Sequence, residues 1–399
     1  MSFIVVFVHS VVLVLTAVIG LFLVLTWSSA RSRRALGLYW GAALAVHLLW
    51  WRLPDLHGVL GGAGRWLTIV WIGAVIAGVF LIIPFAVAVI GQRFLVGRAA
   101  ARRSPLLAVY AGLSLACGIG VAFGSTGAPR VREAEVRING LPAALDGLRI
   151  ANLGDVHIGR FSSVEDLADA IEVINGHQVE LLAITGDLID DLTQLEPALD
   201  ALERSAARSI VAVLGNHDKM ANEKAVVDAY RRRAPRIDLL VNSSTVIARG
   251  DAHLRIVGAD YPLDSHGGHM PPQAEQDAAM SAYASKAFAG VAREEIVVAL
   301  SHHPEFFPIA AASGAQLTLA SHTHGGQVSL FGRPLIKAYD YVHGPFENGG
   351  ASLDVSAGAG DWLPVRIFTP REVVIITLRQ GYSGASVEPS PGFKSIPSF

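Results

Sequence analysis

The apolar positions of this chain fall into two regimes. Up to about Thr126 they form long unbroken stretches; from Leu148 they form short runs separated by amphipathic segments. Four of the long stretches approach the ~20 residues that cross a hydrocarbon core: Phe3–Trp27, Ala35–Trp51, Trp66–Gly91 and Leu106–Thr126. The pattern therefore predicts an N-terminal membrane bundle over 1–127, with helices at about 3–27, 35–51, 66–91 and 106–126. The second is the shortest and holds His47, read as facing a neighbouring helix. Pro84 in the third is absorbed as a kink. The first run lacks a basic start and exceeds a secretory h-region, so it reads as a retained span. Trp27, Trp50, Trp51 and Trp66 lie near span ends, where amphipathic rings favour the headgroup layer.

The later, shorter runs predict buried strands at Leu148–Leu153, Val179–Thr185, Ser209–Leu214, Ile296–Leu300 and Leu317–Ala320. Between them, helices are expected at Ser163–Ile174, Glu196–Ala206, Asn222–Arg233, Gln273–Phe288 and Glu305–Ala312, the first opened by a capping box of Ser163 and Asp166. Such alternation predicts an α/β layered domain, with helices covering a sheet, over 148–380. A linker, 128–147, would join it to the bundle, and a Ser-, Pro- and Gly-rich tail, 381–399, is expected to be disordered.

Composition changes this picture in three ways. Apolar residues are 52% and charged residues 17%, an excess confined to the first third of the chain. A net charge of −2 gives no reason to expect a nucleic-acid partner. Cys117 is the one cysteine, which excludes an internal disulfide and a thiolate metal cluster. Basic residues then suggest an orientation. Arg31, Arg33 and Arg34 lie in the first connection and Arg93, Arg98, Arg102 and Arg103 in the third, against Arg52 and Arg65, partly offset by Asp55, in the second. The positive-inside rule puts the first and third connections in the cytoplasm and the C-terminal domain outside the membrane. Arg130 and Arg132, just past the last span, run against that reading. The spans carry no Asp, Glu, Lys or Arg that would mark an ion or proton path, so they read as an anchor rather than a transporter.

Candidate chemistry lies where the predicted strands end. Leu148–Leu153 runs into Gly154-Asp155-Val156-His157, Val179–Thr185 into Gly186-Asp187, and Ser209–Leu214 into Gly215-Asn216-His217-Asp218. Ile296–Leu300 runs into Ser301-His302-His303-Pro304, and Leu317–Ala320 into Ser321-His322-Thr323-His324-Gly325-Gly326. One such piece alone is more simply a turn or chance. Five in series place Asp, Asn and His at the edge where α/β sheets bind ligands. Imidazole, carboxylate and amide oxygen without sulfur suit Mn, Fe or Zn. Seven candidate ligands exceed one open site but fit two ions sharing a carboxylate, which together acidify water and neutralise phosphoryl charge. His217, beside Asn216, is placed to touch a substrate and protonate a leaving oxygen.

In this order the motifs resemble the calcineurin-like metallophosphoesterase family, over roughly Leu148–Leu378. The Ser-His-His-Pro stretch, His322–Gln327, and Val355–Arg366 with Pro370 and Glu372 look like its bacterial, membrane-anchored branch. The resemblance implies a layered β-sandwich flanked by helices and a centre of two divalent ions. It assigns Asp155, His157 and His324 to the first ion, Asn216, His302 and His322 to the second, Asp187 to a bridge, and His217 to phosphate binding and acid catalysis. Asp190, in Gly-Asp-x-x-Asp, is read as a supporting or turn residue, and His303 as a non-ligand.

Two positions depart from the family pattern. Ser321 stands where glycine is usual, and Gly154 where Ser or Thr often precedes Asp-x-His. The ligand geometry is expected to survive both, with backbone strain possible at Ser321. His266 and His269 read as a solvated loop, and His177, His253 and His343 show no ligand-like partner. The implied activity is hydrolysis of phosphate mono- or diesters, a lipid-linked substrate being one candidate. Alternatives are a UDP-2,3-diacylglucosamine diphosphatase-type pyrophosphatase, which the arginine pattern argues against, and a non-catalytic membrane sensor that binds a phosphorylated ligand.

Overall fold

The computed structural model describes residues 58–101, 106–263, 271–330, 333–334, 339–363 and 365–381, with isolated positions before 58. The chain divides into Met1–Thr126 and Gly127–Phe399.

In the first unit, α1 (Gly58–Ala101) and α2 (Leu106–Ser125) are long and apolar enough to cross a membrane. They match the third and fourth expected spans, although α1 runs beyond 66–91 at both ends. The expected spans at 3–27 and 35–51 fall mostly outside the described residues. The two helices pack backbone to backbone: a Cβ on Gly73 would lie 3.1 Å from the Cα of Gly118, and one on Gly118 would strike the Val70 carbonyl. Small residues permit such approach where no hydrophobic effect drives association. Tyr110 donates from α2 to the Gly78 carbonyl of α1 at 2.8 Å.

The second unit holds two six-stranded sheets. One has the order β1 (Arg130–Ile138), β14 (Glu372–Gln380), β2 (Arg149–Leu153), β3 (Leu181–Ile184), β4 (Ser209–Ala212), β5 (Ile237–Leu239). The other has β12 (Gly344–Asn348), β13 (Ala351–Val355), β9 (Leu317–Ala320), β8 (Ile296–Ser301), β7 (Ala252–Ala259), β6 (Ser243–Arg249). β2 to β5 run parallel, as do β7 to β9 with β13.

Alternate residues of each strand point to opposite faces, and here both faces are covered. Ile150, Leu181, Ala183 and Val211 of the first sheet meet Leu254, Ile256, Val298, Leu300 and Leu319 of the second in one buried core. Their neighbours Ala151, Leu153, Leu182, Ile184 and Ile210 face α3 (Val164–Asn175), α4 (Leu195–Glu203) and α5 (Asn216–Arg233). Val257, Ala259, Val297 and Ala299 pack likewise on α6 (Gln273–Ala287) and α7 (Phe307–Ala312). The result is helix, sheet, sheet, helix. This is why the strands read as unbroken apolar runs and not as alternating ones.

Local chemistry supports the elements. The capping box is present: the Asp166 amide donates to Ser163 Oγ at 3.3 Å and the Ser163 amide to Asp166 Oδ2 at 2.8 Å. α5 begins earlier than expected, with one turn from Asn216 before an extended residue, Asn222, which then caps the remainder through the Ala225 amide. The stretch expected as linker, 128–147, is instead partly structural: β1 pairs with β14 along its whole length. Arg132 on β1 makes a paired contact with Asp354 at 2.8 and 2.9 Å and reaches Glu372 at 3.2 Å, with 16% of its side chain exposed. Its charge is thus neutralised inside the fold. The expected tail, apart from Gly381, lies outside the described residues.

Replacing Arg132 leaves two buried carboxylates without their cation. We expect Arg132→Ala to lower unfolding stability by about 3–5 kcal/mol, and Arg130→Ala, at an exposed position, to change it by less than about 0.5 kcal/mol. Urea-pulse proteolysis of the purified full chain measures both; equal small effects would mean that β1 is not part of the cooperative core.

Candidate metal centre

The five predicted strand ends meet at one edge of the sandwich. β2 delivers Asp155 and His157, β3 Asp187, β4 Asn216 and His217, β8 His302, and β9 His322 and His324. Convergence needs an unusual backbone. Asp155 (φ 50°), His157 (51°), Asp187 (53°), His322 (76°) and His324 (50°) all adopt the left-handed region. That region is costly for residues with a Cβ and persists where the surroundings over-determine it, as at functional sites. The left-handed backbone falls on His322 and not on Ser321, where strain is expected from the sequence.

Two clusters share Asp187. In the first, Nε2 of His157 lies 3.1 Å from Nε2 of His324, and Asp155 completes a group whose ligand atoms all lie within 4.8 Å of one another. In the second, Nε2 of His302 lies 3.0 Å from Nδ1 of His322, 3.2 Å from Oδ1 of Asn216 and 3.2 Å from Oδ2 of Asp187. The same Oδ2 is 3.5 Å from Nε2 of His157, so it stands between the clusters. Its other oxygen, Oδ1, accepts the His217 amide at 2.8 Å. All seven candidate ligands are brought together, and each of the two groups could hold a divalent ion.

The far side of most rings is tied down, which aims the opposite nitrogen inward. His157 Nδ1 meets Asp190 Oδ1 at 3.0 Å, and His302 Nδ1 donates to the Thr185 carbonyl at 2.8 Å. His322 Nε2 faces Tyr339 Oη at 2.8 Å and Tyr261 Oη at 3.2 Å, and His324 Nδ1 lies 3.0 Å from Arg366 Nη2. Asp190 also takes Nδ1 of His217 at 2.7 Å. It supports two imidazoles, in keeping with the role expected of it.

Charge is dense here. Burial opposes ionisation of Asp187, but the charges of His302, His217 and His157 outweigh it and hold the carboxyl well below its ordinary range. Burial also works against His302 and His217, yet Asp187 and the other carboxylates raise both to about 9. Burial, reinforced by cationic neighbours, pushes His322 and His324 well down and keeps them neutral.

Four participants were not identified from sequence. Asp218 accepts the amides of Gly215, Asp187, Leu188 and Ile189 at 2.8–3.2 Å, and so clamps the Asp187 turn. Tyr261 follows β7, a sixth strand end whose Asp-Tyr was the available signal. Tyr339 comes from an irregular loop with no such signal, and Arg366 closes the Val355–Arg366 stretch, for which the sequence predicts no role in the site. His303 is buried, stacks on His322 and accepts the Glu305 amide through Nδ1 at 3.2 Å. His343, expected to lack a partner, meets Glu372 Oε1 at 3.0 Å. His266 and His269 lie outside the described residues.

Comparison with known proteins agrees with this geometry. The family model described as "Calcineurin-like phosphoesterase" matches residues 148–341. The chain is 29% identical to the uncharacterized metallophosphoesterase Cj0846 of Campylobacter jejuni, over 63% of this chain and 63% of that protein. It is 26% identical to the phosphodiesterase YaeI of Escherichia coli, over 58% of this chain and 82% of that one. It is also 26% identical to a "Transmembrane protein with metallophosphoesterase domain" of Danio rerio, over 63% and 58%. The match thus spans less than two thirds of the Campylobacter and Danio proteins.

A proton on Nε2 of His302 competes with any cation in the second cluster. With that imidazole raised from 6.5 to about 9, the affinity of the metal-free protein for Mn2+ should rise up to roughly tenfold per pH unit between 7 and 9 and level off above. The contribution of His302 to the stability of the metal-free protein should run the opposite way, complete below about pH 6.5 and lost as the pH rises toward 9, because the folded state binds that proton more tightly. Titration calorimetry in buffers of different ionisation enthalpy reads the proton release; pH-independent affinity without release would contradict the assignment.

Proposed function

We propose, for a chain whose residues 148–341 belong to the calcineurin-like phosphoesterase family, a membrane-anchored hydrolase that cleaves phosphate mono- or diesters at a pair of divalent ions. The observation that carries this reading is the Asp187 carboxylate set between two imidazole-rich clusters. Buried carboxylate, imidazole and amide oxygen, with no sulfur, fit Mn, Fe or Zn. Asp155, His157 and His324 would hold one ion and Asn216, His302 and His322 the other, with Asp187 between them. Such ions supply Lewis-acid polarisation of a phosphoryl group and acidify water.

The chain's own part is to position and to move protons. The Thr185 carbonyl and Asp190 hold His302 and His157 with Nε2 inward, and Tyr339 holds His322 with Nδ1 inward. His217 engages Asp190 through Nδ1, which leaves Nε2 for the substrate. Raised to about 9 by Asp187 and Asp190 against the effect of burial, it carries a proton at neutral pH. A cation there attracts the phosphate, and Nε2–H can pass its proton to the departing ester oxygen. Similarity to a phosphodiesterase of Escherichia coli supports the diester form of the reaction.

The anchor would have four spans, α1 and α2 being the last two, and the arginine distribution of the N-terminal connections favours an extracytoplasmic catalytic unit. Arg130 and Arg132 run against that orientation.

With Mn2+-loaded full chain and bis(4-nitrophenyl) phosphate, Asp187→Ala should abolish turnover. His217→Ala should lower kcat by about 10²–10⁴ while Mn2+ binding persists. Undiminished rates in His217→Ala would remove the acid role. Inactivity of the wild type toward phospholipids, nucleotides and isoprenoid pyrophosphates would favour the ligand-binding alternative. A C-terminal reporter fusion should be active only outside the cytoplasm, and cytoplasmic activity would reverse the orientation.

A further inference from the structure

The two departures from the family pattern, Gly154 and Ser321, occupy one place in the structure. A Cβ on Gly154 would lie 2.5 Å from Oγ and 2.7 Å from Cβ of Ser321, and would also strike Oγ1 of Thr185. All three positions are buried. Gly154 ends β2 in the first sheet and Ser321 ends β9 in the second, so the serine side chain crosses the sandwich into space left by the glycine. There it takes up two polar contacts. Its Oγ donates to the Thr185 carbonyl at 2.9 Å and lies 3.1 Å from Nδ1 of His302. Nδ1 of His302 meets the same carbonyl at 2.8 Å. Beneath them Thr185 Oγ1 donates to Asn152 at 2.7 Å, and the Asn152 amide donates to the Ala320 carbonyl at 3.1 Å, which again links the two sheets.

We propose that Ser321 is a positioning residue for His302: its hydroxyl, seated in the space Gly154 leaves open, shares with the Thr185 carbonyl the hydrogen bond from Nδ1 of His302 and so keeps Nε2 aimed at Asn216, His322 and Asp187. The inference deepens the metal-centre reading and rests on it for the role of His302. Its steric half, the coupling of 154 to 321, does not. Two acceptors on one ring N–H restrict rotation of the imidazole. Groups that hold a ligating imidazole in this way are worth 10–100-fold in metal affinity or activity when removed.

The test uses the full chain with four variants. Ser321→Ala removes the hydroxyl but keeps the Cβ; it should weaken Mn2+ binding in equilibrium dialysis roughly tenfold and shift the visible bands of the Co2+-loaded protein, with little change in the melting temperature of the metal-free form. Gly154→Ala should lower that melting temperature, and should lower it less in Gly154→Ala/Ser321→Gly than the two single changes predict together. The clash with Thr185 is present in both backgrounds and cancels in such a cycle. Additive melting shifts would refute the shared space, and unchanged Mn2+ affinity and Co2+ spectrum in Ser321→Ala would refute the positioning role. Absence of Mn2+ binding by the wild type would instead overturn the metal-centre reading, and the melting cycle would still decide the steric coupling.

Discussion

The carboxylate of Asp187 is the constraint on which the rest of this domain depends. One oxygen accepts the His217 amide, and the other stands between Nε2 of His157 and Nε2 of His302. Its backbone is held in the left-handed region by Asp218, which gathers the amides of three successive residues and of Gly215. An unpaired buried carboxylate is too costly to persist. Asp187 is ionised because the imidazoles around it supply positive charge, and those imidazoles are raised because it is there.

The layered fold makes that concentration of charge possible. Parallel strands deliver their C-terminal ends to one edge, and two sheets face to face bring two such edges together. Burial on both faces of each sheet makes the scaffold rigid, which lets the loops carry left-handed residues at five candidate ligand positions. A second ring of polar groups, including Asp190, the Thr185 carbonyl, Tyr339 and Ser321, then selects which nitrogen of each imidazole faces the centre. Strain in the backbone and orientation of the side chains are two parts of the same device.

Much of this was legible along the chain because it is local. Apolar run length separated the long helices α1 and α2 from the strands, and the capping box of Ser163 and Asp166 marked the start of α3. The order of Asp, Asn and His after successive strands exposed the candidate ligands, since a strand's end and its turn residue are neighbours in sequence. β1 was missed for the complementary reason. Its polar residues, Arg130, Arg132, Glu133 and Glu135, suggest a solvated linker, and they are accommodated only because β14, from the far end of the chain, pairs with it and places Glu372 beside Arg132.

The sequence by itself determined the kinds of donor atom available, their order, and the helical or extended state of the segments that carry them. Each depends on residues within a turn or two of one another. Only the tertiary structure decided which donors share a cluster, which ring nitrogen each imidazole turns inward, and that Gly154 and Ser321 fill one space. Those outcomes rest on contacts between residues as many as 167 positions apart, such as Asp155 with His322 and His157 with His324. Distances of that kind are set by how two sheets pack, and short-range pattern carries no record of them.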